Sequence, residues 1–180
     1  MRAAVLSIVL SLTASVVAQT FADDTIAKVK ANLASSAQES WELGTRAQTL
    51  LELDAPEFSV FHEDSLPPKF SGQAPAGIRD VLTIASNAVS RLPEDSTPRP
   101  LDGGAGGDPP SLGIAVLLAH ASNPANASRY LQAAENQLAF VLNDLPRSSA
   151  GAISHRAEEV QLWSDFVYMV RRSQRVLRYT

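Results

Sequence analysis

In "ISHRAEEVQLWSDFVYMV" the chain gathers His155, Glu158, Glu159, Trp163 and Asp165 into one short segment. Such side chains can move protons, hold a cation or stack on a ligand ring. A metal centre needs convergent ligands, such as paired histidines on one helix face. Here the residue one helical turn past Glu159 is Trp163, which ligates nothing, and no H-E-x-x-H run occurs. The reading calls for no metal and no cofactor. Asp165 then stands out, because it interrupts the apolar run of Leu162, Trp163, Phe166, Val167, Tyr168, Met169 and Val170. Two roles compete for it. It is either a reactive acid among aromatics or a first-turn acid of a helix capped near Ser164, where it favours the positive helix end. For His155 the plainer role is a loop histidine bonded to backbone, and for Trp163 and Tyr168 it is core.

Two other patterns carry possible chemistry. The glycine pairs in "PEDSTPRPLDGGAGGDPP" lack the Lys-Ser/Thr ending of a phosphate-binding loop and the G-x-G-x-x-G register, so residues 93–110 are expected to be a flexible surface loop. Asn126-Ala127-Ser128 is an acceptor pattern for N-glycosylation, with Asn126 as the modified residue.

Composition bounds the function class. With 45% hydrophobic residues and a net charge of −4, the 180-residue chain reads as roughly one globular domain. No basic stripe precedes the last ten residues, which argues against nucleic acid as a partner. Residues 1–18 read as a secretory signal, with Arg2 as the positive start, an apolar stretch too short for a convincing span, and Val16 and Ala18 at the small cleavage positions. Cleavage is expected near Ala18-Gln19, leaving a secreted, extracellular chain not held in a membrane. An N-terminal anchor is the alternative. Cys is absent, so the fold must rest on packing or on a partner.

The elements that must position these residues are helices. Ile26, Val29, Leu33, Ala37, Leu43, Ala47, Leu50 and Leu51 predict one long helix from Asp24 to Leu53. Ile78, Val81, Leu82, Ala85, Ala88, Val89 and Leu92 predict a second, stopped by Pro93. A third, about Ser111 to Ala121, is apolar nearly all round and must be buried on every side. The fourth is expected to start at Asn123-Pro124 as N-cap and first helical position, and to end before Pro146. Ala157 to Val170 should contain a fifth. No convincing alternating strand occurs, so the class is all-α. Amphipathic helices alternating with a wholly apolar one suit layers of inner and outer helices.

The segment that opened this section resembles the central signature of the unsaturated uronyl hydrolases, glycoside hydrolase families 88 and 105, within the six-hairpin glycosidases. Gly151, His155, Trp163, Asp165, Tyr168 and Met169 follow the family's order of a Gly-rich turn with His, a Trp-x-Asp step and an aromatic-Met helix. The segment also resembles the version in secreted fungal members, and "GDPPSLGIAVLL" resembles the family's Asp-led second inner helix more weakly. The resemblance implies a double-layered (α/α)6 toroid, of which residues 19–170 would be the N-terminal part. It implies an oligosaccharide substrate whose non-reducing end is a uronic acid with a C4=C5 double bond. Asp165 would give a proton to that vinyl ether and help water add, after which the hemiketal falls apart. A proton donor at working pH must hold its proton, which burial among Trp163, Phe166 and Tyr168 favours, as does a second carboxylate nearby. Asp108 is the candidate for that second carboxylate, and His155 and Trp163 would hold the uronate and stack on the sugar ring.

The match stops at Arg171. The family continues with a Pro-Pro-Phe-Leu and Tyr-Tyr-Gly run, whereas residues 171–180 read "RRSQRVLRYT". Two different one-nucleotide shifts could turn parts of this tail into that run, so it reads either as a frame or gene-structure artefact or as the basic end of a genuine short secreted paralogue. A twelve-helix ring needs on the order of 350 residues. About five helices are legible here, and a chain ending at that point is expected to expose apolar faces, to associate and to be inactive. The alternative, from a different class, is a secreted helical binding or structural protein without catalysis.

Overall fold

A computed structural model describes residues 21–62, 68–70, 72–103 and 105–170. The expected signal segment over residues 1–18, the expected cleavage near Ala18-Gln19 and residues 171–180 lie outside the described residues. Among them every named element is helical: α1 (Asp23–Ser36), α2 (Ser40–Asp54), α3 (Arg79–Ser90), α4 (Gly113–Ser122) and α5 (Ala127–Asn143), with 3-10 turns at Pro56–Phe58, Ala76–Ile78 and Pro109–Leu112. Residues 165–170 are helical again and are labelled α6. The only pairing of extended backbone among the described residues is an isolated antiparallel bridge between Arg147 and Ile153. The class is all-α, as the periodicity predicts. No helix among the described residues is long and apolar enough to cross a membrane.

The first helix is a correction. One helix was expected from Asp24 to Leu53, but the chain breaks after Ser36 and restarts at Ser40. The break has a local cause. The Glu42 carboxylate accepts the backbone N–H groups of Gln38 (2.9 Å) and Glu39 (3.1 Å), which satisfies donors at a new helix start. Those bonds hold the Glu42 carboxyl below the usual carboxylate range. The two halves also differ in burial. α2 buries Gly44, Ala47, Leu50 and Leu51, while α1 buries no residue and leaves Val29 half exposed. Lys30 of α1 reaches Asp54 of α2 at 2.6 Å, a surface pair of small worth.

α4 is the centre of the molecule. Residues Gly113 to Ala119 are all buried, and the helix packs against α2, α3 and α5. This is what an apolar surface on every side requires. Leu51, Ile78, Val81, Leu112, Val116 and Leu117 form the fully buried heart of the main core. Gly44 lets α2 close on the turn that leads into α4, since a Cβ there would lie 2.1 Å from the Ser111 hydroxyl oxygen. Ser111 in turn donates to the Ser40 carbonyl at 3.0 Å.

α5 starts later than expected. Residues 124–126 form a turn, and the helix begins at Ala127 with Asn126 as its N-cap, not at Asn123-Pro124. Its polar residues then pin the preceding loop. Gln137 accepts the Leu101 N–H at 2.6 Å in a buried bond, and Asn136 donates to the Asp95 carbonyl at 2.9 Å. Arg129 donates to the carbonyls of Val89 and Leu92, both at 3.1 Å, which closes the C-terminal end of α3. The expected flexible loop over 93–110 is therefore corrected. Its second half is interior, with Leu101, Ala105, Gly106, Gly107, Pro109 and Pro110 buried.

Candidate functional site

A second, smaller apolar cluster positions the segment singled out by its chemistry. Val141 of α5 and Leu145 just past its end bury against Val170, with Phe140, Ile153 and Phe166 around them. Between these anchors the chain makes a tight reversal. Ser148 donates its N–H to Ala152 at 2.9 Å, and Gly151 takes the left-handed conformation the turn needs, at φ +84°. Ser154 donates its N–H back to the Pro146 carbonyl at 2.8 Å.

From Ser154 onward the main chain is tied by one hydroxyl. Ser154 is fully buried, and its Oγ donates to the Glu159 carbonyl at 2.8 Å. The same oxygen accepts the N–H groups of Arg156 (3.1 Å) and Gln161 (2.9 Å). The His155 N–H donates to the Gln161 carbonyl at 2.7 Å, and the Trp163 indole N–H donates to the Gln161 side-chain oxygen at 3.1 Å. These bonds hold residues 155–163 as a compact loop. No helix forms there, so the helix expected within Ala157 to Val170 is confined to residues 165–170.

The loop delivers His155 into the interior. Its imidazole has no exposed surface and lies flat on the Trp163 indole, with ring centroids 4.3 Å apart and planes within 8°. Phe166 meets it edge-on at 6.3 Å. Two carboxylates approach the same ring from its two nitrogens. Asp108 Oδ1 is 3.1 Å from Nε2, and Asp165 Oδ1 is 3.8 Å from Nδ1. Neither ring nitrogen has a partner in hydrogen-bond geometry. The 3.1 Å contact is thus close but poorly directed, and 3.8 Å is beyond a hydrogen bond. A buried imidazole flanked by carboxylates without a directed bond is the chemically open part of this cluster.

The four residues that the sequence singled out from two distant segments, Asp108, His155, Trp163 and Asp165, are therefore neighbours. They differ in burial. His155 has no exposed surface. Asp165 does not sit in an apolar pocket: its side chain is 46% exposed, and Trp163 and Tyr168 are exposed as well. Asp165 is also the first residue of α6, where the plainer reading put it. Asp108 is only 21% exposed at its side chain and leads the 3-10 turn into α4. Asn126 stands apart from this cluster, exposed in the turn before α5.

Sequence reasoning missed Gly107. Its N–H donates to the His155 carbonyl at 3.0 Å. A Cβ at this position would lie 2.3 Å from His155 Nδ1 and 2.8 Å from Phe166. Only a residue without a side chain lets the backbone beside Asp108 come this close to the imidazole. The signal was present as a glycine pair directly before the acid, but a glycine pair says nothing about what passes next to it. Its partner Gly106 is equally constrained, by Leu145, whose Cδ2 would lie 2.3 Å from an added Cβ.

No family model matches the chain, and neither a curated protein nor a solved structure matches it.

Proposed function

We propose that this chain carries the acid-bearing part of a carbohydrate-active site of the unsaturated uronyl hydrolase type. The observation that carries the reading is the meeting of Asp108 and Asp165 on the two nitrogens of one buried imidazole, beneath a half-exposed indole. A carboxyl group, a second carboxylate and a ring-stacking surface are the parts that general acid catalysis on a sugar requires. The substrate class is an oligosaccharide ending in a Δ4,5-unsaturated uronic acid. Asp165 protonates C4 of the vinyl ether and assists water to add at C5, and the hemiketal opens to release the remaining saccharide. Asp108 is the second carboxylate beside the same imidazole, and Trp163 supplies a face for the ring. In this reading the wholly buried α4 is an inner helix of a double-layered α/α toroid, and the protein is secreted.

The exposure of Asp165 at the start of α6 favours one second reading, a secreted helical binding or structural protein without catalysis. Val160, Leu162, Val167 and Tyr168 are also exposed and would suit an interaction surface.

The test uses an unsaturated uronyl disaccharide and follows loss of the absorbance of its double bond. It is run on the 180-residue chain and on a longer form in which genomic sequence past codon 170 is found to encode the Pro-Pro-Phe and Tyr-Tyr-Gly run. The longer form is expected to consume the double bond, and Asp165→Asn in it to lose at least about a hundredfold in rate while keeping its fold. No consumption by either form, or undiminished turnover by the Asn variant, overturns the reading.

A further inference from the structure

With His155 buried, the carboxylate of an acidic sugar has lost the partner that the sequence reading gave it. The next residue supplies another. The Arg156 guanidinium carbon lies 5.8 Å from the centroid of the Trp163 ring, within cation–π range. No Asp or Glu among the described residues lies within ion-pair distance of it, although five other arginine or lysine side chains in the fold are paired. The Arg156 backbone is fixed by its N–H bond to Ser154 Oγ at 3.1 Å. A guanidinium close to the indole, on a main chain held in place and with no carboxylate in ion-pair distance among the described residues, can meet a planar anion. The fork of N–H donors matches a carboxylate bidentately, which a lysine ammonium does not.

Electrostatics makes such a group necessary. Asp108 and Asp165 both face the site, and Glu158 and Glu159 are exposed in the same loop. An anionic ligand entering against these carboxylates is repelled unless a cation offsets them. His155 is flanked by two of them and has no surface to offer. Arg156 is the cation that the loop itself provides, on the same indole that would take the sugar ring.

We propose that Arg156 is the specificity residue of this site, reading the carboxylate of an acidic sugar stacked on Trp163. The proposal rests on the sugar-site reading above but does not depend on turnover. Its test compares an unsaturated uronyl disaccharide with the methyl ester of the same compound, which keeps the shape and removes the charge. Binding is followed through the indole N–H resonance of Trp163, identified by its absence in Trp163→Phe. The wild-type chain is expected to bind the acid on the order of tenfold more tightly than the ester. Arg156→Gln should level the two, and Arg156→Lys should restore part of the preference. An undiminished preference for the acid in Arg156→Gln overturns the proposal, and so does a wild-type chain that binds both equally or neither. Loss of the preference in Arg156→Gln, together with absence of turnover in every form, leaves Arg156 as an acid-sugar reader and removes the hydrolase. Retained preference together with loss of turnover in Asp165→Asn does the reverse.

Discussion

The imidazole of His155 and the indole of Trp163 lie parallel, 4.3 Å apart at their centroids, with the histidine wholly interior and the tryptophan half exposed. The pair spans the boundary between core and solvent. Whatever fixes the histidine therefore also bears on the orientation of the indole packed on it. Offset aromatic stacking of this kind adds about 0.5–1.5 kcal/mol beyond burial, enough to favour one ring orientation.

Gly107 controls that geometry from the other segment. Gly107→Ala forces its Cβ against His155 Nδ1 and Phe166, neither of which is a free-moving surface tip. Overpacking of a filled interior costs about 1–3 kcal/mol. Urea unfolding should show that loss, and the His155 ring resonances should shift. Gly103→Ala is the control, since a Cβ there meets nothing within 4 Å.

Ser154→Ala tests the hydroxyl that closes the loop. It removes one accepting oxygen shared by Arg156 and Gln161 and one donor to Glu159. Leaving such groups unpaired costs about 1–3 kcal/mol. The loss should be local. Amide exchange of Arg156 and Gln161 is expected to accelerate, while that of α4 changes little.

The core and α1 should respond differently to truncation. Leu117 is fully buried, so Leu117→Ala is expected to cost about 2–5 kcal/mol, read as a lower urea midpoint. Val29 is 50% exposed on a helix that buries nothing, so Val29→Ala should stay within about 0.5 kcal/mol. Equal losses would mean that α1 is part of the core.

Acid should loosen the entry to α2 through Glu42. Backbone bonds from Gln38 and Glu39 lower its folded-state pKa below the ordinary 4.5. The sign follows directly. The carboxylate form is favoured by folding, so its contribution is present above the ordinary value and is lost as pH falls through the lowered one. The amide protons of Gln38 and Glu39 should titrate together, with a midpoint below 4.5. Glu42→Gln should abolish that titration and keep the helix start, because an amide oxygen still accepts.

Local pattern alone determined much of this protein. The apolar face of α3 and the all-round apolar surface of α4 follow from periodicities of a few residues, so they were legible without a fold, whereas α5 was legible as a helix but buries Asn136 and Gln137 and leaves Leu142 exposed. The break between α1 and α2 was also local, written as Glu39 followed three residues later by Glu42, but the continuing apolar stripe across it masked the capping pair. His155, Trp163 and Asp165 were readable as one short segment, whereas Asp108 entered only through the resemblance of its segment to a family helix. Only the tertiary structure decided which of them is inside. Gly106 and Gly107 look like a loose loop until Leu145 and His155, from a segment far along the chain, are packed against them. His155 looks like a ligand-facing residue until Trp163 covers it and Ser154 folds the loop inward. Burial depends on what distant segments bring to a position, and periodicity carries no record of that.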